Sequence, residues 1–335
     1  MKTRELVALY NTGHRGINSL FAKAHSASWD IENDVDWGLA VQSHDPLVTD
    51  GWSPFSSTAA FRSLPEDVKA YVNRRGVGFI LNTLQVGESV AQNVCAKIAL
   101  KVHEEDYRNH AVAQAMDEAR HHLAYRRLIE KMNEAVEDID AVSEARLDAV
   151  LAFEDPTYLI AGEQFYLENQ AMDILESMQK HACHPLLSKI LTLTTRDETR
   201  HMGFGVLYLA EWLKRHSLDD QIILAEGILN ASLDVIMDRP GKVMLARVLR
   251  RLQAAGVSNL EELGERMLAE QQAINENEHS SIVAGKRLPH LLKSARRAGF
   301  MKPEILEALH LDKHPLIMGA LRGEPDPIVT DDVTS

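Results

Sequence analysis

One five-residue pattern, Asp-Glu-x-Arg-His, occurs twice in the chain, as DEARH from Asp117 to His121 and as DETRH from Asp197 to His201. In an α-helix a Glu and the His three residues on project from the same face. Glu118/His121 and Glu198/His201 are therefore two matched carboxylate–imidazole pairs, well separated along the chain. One such pair is common on a solvated helix. Two with identical flanking Asp and Arg argue for halves of one site, which requires both segments to be helices that pack together.

The surrounding sequence supplies those helices. Apolar residues recur at three- and four-residue spacing and β-branched alternation is scarce, so the expected fold class is all-α. Four long helices are predicted at roughly 77–102, 105–133, 156–180 and 185–215, the second and fourth carrying the repeated pattern. Pro185 suits the first turn of the fourth. Further helices are expected near 218–237, 240–255, 259–284 and 286–298. Residues 1–65 read as irregular, with turn signals in "SHDPLVTDGWSPFSST". The expected organisation is an N-terminal extension packed on the bundle over 1–70, a four-helix bundle over 71–216, additional helices of the same domain over 217–322, and a tail over 323–335.

Composition excludes several classes of function. A formal net charge of −13 argues against a nucleic-acid or anionic-membrane binder. The two cysteines, Cys95 and Cys183, form no CxxC and no disulfide framework. No apolar stretch reaches the length of a membrane span, and the N-terminus does not read as a signal peptide. A cytoplasmic protein is expected.

A pair of ExxH helices needs one more Glu from each of two other helices to complete a two-metal carboxylate site. Upstream of the first pair lies "VGES" with Glu88, and upstream of the second "AGEQ" with Glu163. Glu88 precedes Glu118, and Glu163 precedes Glu198, by similar lengths of chain. Equal lengths on either side of a turn let an antiparallel hairpin bring all four carboxylates to one height. Glu168 is a rival, because its distance before Glu198 equals that of Glu88 before Glu118. Five residues turn a regular helix by about 140°, so Glu163 and Glu168 are not expected to face the same way. Glu163 keeps the Gly-Glu repeat and is preferred.

Four carboxylates converging in a bundle core would be forced to protonate unless cations neutralised them. Two ferrous ions do so. Oxygen and imidazole donors without thiolate suit iron or manganese, including a mixed pair, rather than structural zinc. The expected ligands are Glu88, Glu118, His121, Glu163, Glu198 and His201. Asp117 and Asp197 are each expected to accept a hydrogen bond from a ligand histidine, of the same or of the opposite pair, with Arg120 and Arg200 balancing charge beside them.

This pattern, E…ExxH…E…ExxH with DExRH repeated across about residues 75–215, resembles the ferritin-like di-iron carboxylate superfamily. That group includes monooxygenase hydroxylases, acyl-carrier-protein desaturases, ribonucleotide reductase small subunits, ligand-binding oxidases and aminoarene N-oxygenases. The resemblance implies a four-helix bundle, two metal ions and dioxygen activation. The hydroxylases carry a Thr four residues after the third Glu, where this chain has Leu167. The N-oxygenases carry an extra His four residues before the last Glu, where it has Thr194, so six protein ligands are expected rather than seven. Tyr125 stands where ribonucleotide reductase small subunits carry their radical tyrosine.

The expected activity is oxidation of a small organic substrate by hydroxylation, N-oxygenation or desaturation. Dioxygen is the co-substrate, and a ferredoxin or reductase supplies electrons, because no Gly-rich nucleotide loop is present. A homodimer is expected. The alternatives are a radical-generating subunit using Tyr125 and a non-enzymatic iron-binding protein. Cys95, Phe165, Tyr166 and Phe204 are pocket candidates. His122 follows a ligand and points off its face, either behind the ligands or at the surface, and His103, His110, His181, His184 and His279 have no repeated partner and no assigned role.

Overall fold

The computed structural model describes residues 14–133, 137–237 and 241–323. The N-terminal stretch read against a signal peptide and nearly all of the expected tail lie outside them. Among the described residues the fold is all-α, with one isolated bridge, Val48 to Ala182, as the only β pairing. No helix among them is long and apolar enough to cross a membrane.

Four elements frame the bundle: α3 (Glu66–Lys101), α4 (Glu105–Met132), a third rod made of α6 (Pro156–Ile160), a π-helical stretch (Ala161–Leu167) and α7 (Glu168–His181), and α8 (Pro185–Arg215). Asp155 caps the third rod through the Thr157 and Tyr158 amides, with Pro156 at its first turn. His184 and Pro185 start α8 in the same manner. The connection between the two hairpins carries a further helix, α5 (Ala141–Ala152), capped by Asp140 on the Val142 and Ser143 amides.

The N-terminal region differs from the irregular extension expected. It contains α1 (Arg15–Ser26), a 3-10 turn (Phe55–Ser57) and α2 (Ala59–Arg62). The sequence signal for α1 is slight, because its first N–H groups are capped by a histidine, His14, rather than by Ser, Thr, Asp or Asn. α1 buries Ile17 and Ala24 and packs across α4 and α8. The stretch between α1 and the 3-10 turn is indeed largely without regular structure. It closes one end of the bundle by burying Trp29, Val35, Leu47, Val48 and Trp52.

The chain after the bundle forms α9 (Leu218–Met237), α10 (Lys242–Ala254), α11 (Leu260–Val283), α12 (His290–Ala298), α13 (Pro303–Ala308) and α14 (Pro315–Arg322). Helices α9 and α12 to α14 share one apolar core with Phe165, Leu209 and Leu213 of the bundle. Helices α10 and α11 share another with Phe55, Phe61 and Val72. Glu137 joins α10 to the α4–α5 connection through Arg251 Nε at 2.6 Å.

Helix α4 is inside out. Its buried residues include His110, Gln114, Asp117, Glu118, His121 and Tyr125, one stripe at three- and four-residue spacing. Val112, Met116 and Leu123 face outward, 46–61% exposed. A helix normally buries its apolar stripe. Burying the polar one is stable only where buried partners or ions satisfy it.

Candidate metal centre

The two ExxH pairs face each other across the bundle. Two groups of donor atoms lie close enough to hold an ion, each with its atoms within 4.8 Å of one another: Glu88, Glu118, His121 and Glu198, and Glu118, Glu168, Glu198 and His201. Glu118 and Glu198 belong to both. Each group thus has one imidazole, one carboxylate of its own and two shared carboxylates. All six residues are buried.

The third rod departs from a regular helix. Glu168 stands in the second group, whereas Glu163, the preferred residue, stands outside both. A regular α-helix would turn these two side chains apart. The stretch Ala161–Leu167 is instead π-helical, and the Glu168 amide donates to the Glu163 carbonyl five residues back. A π turn stacks residues five apart, so both side chains sit on the site side. Glu163 is 2% exposed, and its Oε2 has no hydrogen-bond partner. The two glycines of the Gly-Glu repeat stand in different settings. A Cβ on Gly87 would meet open space, while one on Gly162 would press on Val150 at 3.0 Å.

Helix α8 lies close against the π turn. A Cβ on Gly205 would stand 2.9 Å from the Gln164 carbonyl oxygen, too near for backbone to tolerate. Gly203 faces only Leu20 at an ordinary 3.6 Å. Gly205→Ala is expected to cost about 1–3 kcal/mol through overpacking, read as a lower denaturant midpoint, with Gly203→Ala near neutral.

Each histidine turns one ring nitrogen to the carboxylates and the other outward. His121 Nδ1 lies 3.2 Å from Glu118, 3.1 Å from Glu198 and 3.7 Å from Glu88. His201 Nδ1 lies 2.8 Å from Glu198, 3.2 Å from Glu118 and 3.4 Å from Glu168. The outward nitrogens meet the aspartates crosswise. His121 Nε2 is 3.3 Å from Asp197 Oδ2, and His201 Nε2 is 3.2 Å from Asp117 Oδ2. An Nε2–H donating to Asp leaves the Nδ1 lone pair aimed at the centre, the tautomer a metal needs.

Two arginines lock this ring of contacts. Arg200 pairs with Asp197 at 2.8 Å and Asp117 at 3.1 Å. Arg120 pairs with Asp117 and lies 3.9 Å from Asp197. Trp29 adds a contact that no sequence pattern marked: its indole N–H donates to Asp197 Oδ2 at 2.8 Å, and its ring stacks over His121. Gln114 is a second residue that the patterns did not mark. It donates to Glu168 Oε1 at 2.8 Å and accepts from Gln164 Nε2 at 3.3 Å. Its place one turn before Glu118 on the buried stripe is a signal, but it lacks a counterpart in the second pattern.

The pocket candidates divide. Cys95 is buried and accepts a long contact from Gln164 Nε2 at 3.5 Å. Phe204 is buried and stacks on His110 at 4.2 Å. Phe165 instead packs on Phe300 in the core shared with the C-terminal helices, and Tyr166 packs against that same core. Tyr125 is buried beyond His121, and burial together with the Glu88 charge pushes its hydroxyl pKa well above the usual phenol value. His110, unassigned from sequence, is buried near His201. Burial first, and then the His201 charge, lower its pKa to about 3, so its imidazole is neutral. His122 lies off the site and donates to the Gln85 carbonyl.

Electrostatics without an ion show what the residues lack. Burial, reinforced by the charges of neighbouring glutamates, pushes Glu88, Glu163 and Glu168 well above the ordinary carboxylate range. Burial acts the same way on Glu198, but His201 and His121 outweigh it and hold that carboxyl well below the range. Burial opposes charge on both histidines, yet the facing carboxylates raise them well above the usual imidazole value. Both Glu118 oxygens, Glu198 Oε1 and His121 Nδ1 are buried without a hydrogen-bond partner. Oxygen and imidazole donors left unsatisfied around two adjacent points fit a pair of divalent metal ions.

Helical bundles that bury carboxylate–imidazole groups from facing helices form the ferritin-like di-iron class, and this chain falls within it. More narrowly, it belongs to the family described as P-aminobenzoate N-oxygenase AurF, whose model matches residues 11–238. That span includes every residue of both donor groups and the Trp29 contact. The chain is accordingly an oxygenase, an oxidoreductase of the monooxygenase kind. No curated protein matches it at a significant level.

Proposed function

We propose that the chain is a di-iron N-oxygenase that uses dioxygen to oxidise the nitrogen of a small amine, an aromatic amine being the class its family description suggests. The observation that carries this reading is the sharing of Glu118 and Glu198 between two buried donor groups, within a span matched by an N-oxygenase family. Glu88 and His121 would hold one ion, Glu168 and His201 the other, and the two shared carboxylates both. Two iron ions would supply the redox chemistry that activates dioxygen.

The protein's own part is to position and to insulate. Asp197 and Asp117 hold the Nε2 protons, and Arg200 and Arg120 fix those aspartates. Gln114 keeps one Glu168 oxygen engaged. Burial excludes bulk water from the donors, which strengthens each electrostatic contact. In the reaction one oxygen atom converts an amine N–H to N–OH, and the other leaves as water. The two electrons come from an external ferredoxin or reductase, and the two protons from solvent.

The test is anaerobic loading with iron(II), addition of reductant and isotopically labelled dioxygen, and mass spectrometry over a panel of aromatic amines. A labelled N-oxygenated product that disappears in His201→Ala is expected. Oxygen consumption with two irons bound, but only carbon-hydroxylated or desaturated products, would refute N-oxygenation.

A further inference from the structure

Glu163 is a buried carboxylate with no task in the site as described. Its Oε2 meets no donor. Of the charges that act on it, those of Glu118 and Glu198 belong to both donor groups and that of His201 to the second alone. No arginine or lysine is among them. A carboxylate kept in such a place without a partner is costly, and packing alone does not call for one.

The backbone shows why it stands there. The π turn stacks Glu163 directly before Glu168, through the Glu168 amide bond to the Glu163 carbonyl. Such turns are rare and concentrate at functional sites. The two carboxylates differ in freedom. Glu168 Oε1 is held by Gln114, which is held in turn by Gln164. Glu163 Oε2 is unrestrained. The Thr194 hydroxyl offers no substitute donor, since it is committed to the Ile190 carbonyl at 2.6 Å.

We propose that Glu163 is a seventh protein ligand, reached by rotation of its side chain on the π turn, to the ion on the His201 side. This rests on the two-metal reading above. Each ion has four protein donors without it, and divalent iron accommodates more. The site is then asymmetric: one ion has four protein ligands and the other gains a fifth, so coordinating positions for exogenous molecules are more numerous on the Glu88 side.

The experiment compares wild type, Glu163→Gln and Glu168→Gln by anaerobic iron(II) titration and Mössbauer spectroscopy. Glutamine matches the shape of glutamate and removes its charge, and circular dichroism checks folding. Wild type is expected to bind two irons with two distinguishable signals. Glu163→Gln should weaken one binding step by at least the order of 10–100-fold seen for groups that merely support ligands, and should shift the same signal that Glu168→Gln shifts. Wild-type affinity and unchanged signals in Glu163→Gln would overturn the proposal while leaving the two-metal reading intact. Failure of wild type itself to bind two irons would instead remove that reading, and the proposal with it. A crystal structure of the wild-type chain loaded with manganese(II) reads the point without any variant: a Glu163 oxygen at bonding distance supports it, and a side chain turned away overturns it.

Discussion

Replacing Glu198 by alanine is expected to empty both metal positions, whereas replacing Glu88 by alanine should empty one. The difference follows from membership: Glu198 and Glu118 are in both donor groups, and Glu88 and Glu168 are in one each. Loss of Glu198 also removes the carboxylate closest to each Nδ1, at 3.1 Å from His121 and 2.8 Å from His201. Metal content after iron(II) loading and gel filtration reads the outcome directly. Near-zero iron is expected for Glu198→Ala and Glu118→Ala, and about one iron per chain for Glu88→Ala. Equal losses in all three variants would show that the shared carboxylates do not bridge two positions.

The second large effect is on stability and its dependence on pH. Glu88, Glu163 and Glu168 have folded-state pKa values well above the ordinary 4.5 when no metal is present. The metal-free folded chain therefore holds protons that the unfolded chain releases, and it loses stability as pH rises above about 4.5. His121 and His201 are raised above 6.5. Their contribution is complete below that value and is lost as pH rises through their folded values. Asp117, Asp197 and Glu198 are lowered, so their contribution is complete above about pH 4 and is lost only in stronger acid. From about pH 6 to 8 the metal-free chain should become steadily less stable.

Metal reverses this trend, because it binds the deprotonated donors and its affinity rises with pH. At a free-ion concentration about one hundred times the dissociation constant, each ion adds about 2.7 kcal/mol. The gap in unfolding midpoint between metal-loaded and metal-free protein should widen across the same range. Thermal melts of both forms check it, and parallel slopes would contradict it.

The repeated pentapeptide made much of this site legible. Helical periodicity alone puts Glu118 with His121 and Glu198 with His201, and hairpin symmetry puts Glu88 beside them. The choice between Glu163 and Glu168 was not legible, because a five-residue step separates two side chains only where every turn is α-helical. Nothing in "AGEQFYL" announces a π turn. That turn is packed against residues from elsewhere, among them α8 at Gly205. Trp29 was illegible for another reason: its partner Asp197 lies 168 residues away, and its own segment has no regular structure to fix a direction.

The π turn also depends on chain length, separately from residue identity. Removing one residue between Ala161 and Leu167 would let the rod close into regular α-helix. Taken from between Glu163 and Glu168, that residue would leave the two glutamates four apart, about 40° around an α-helix, so both would still face the centre. A relative could thus lose the π turn through a single codon deletion and keep both carboxylates on the site side.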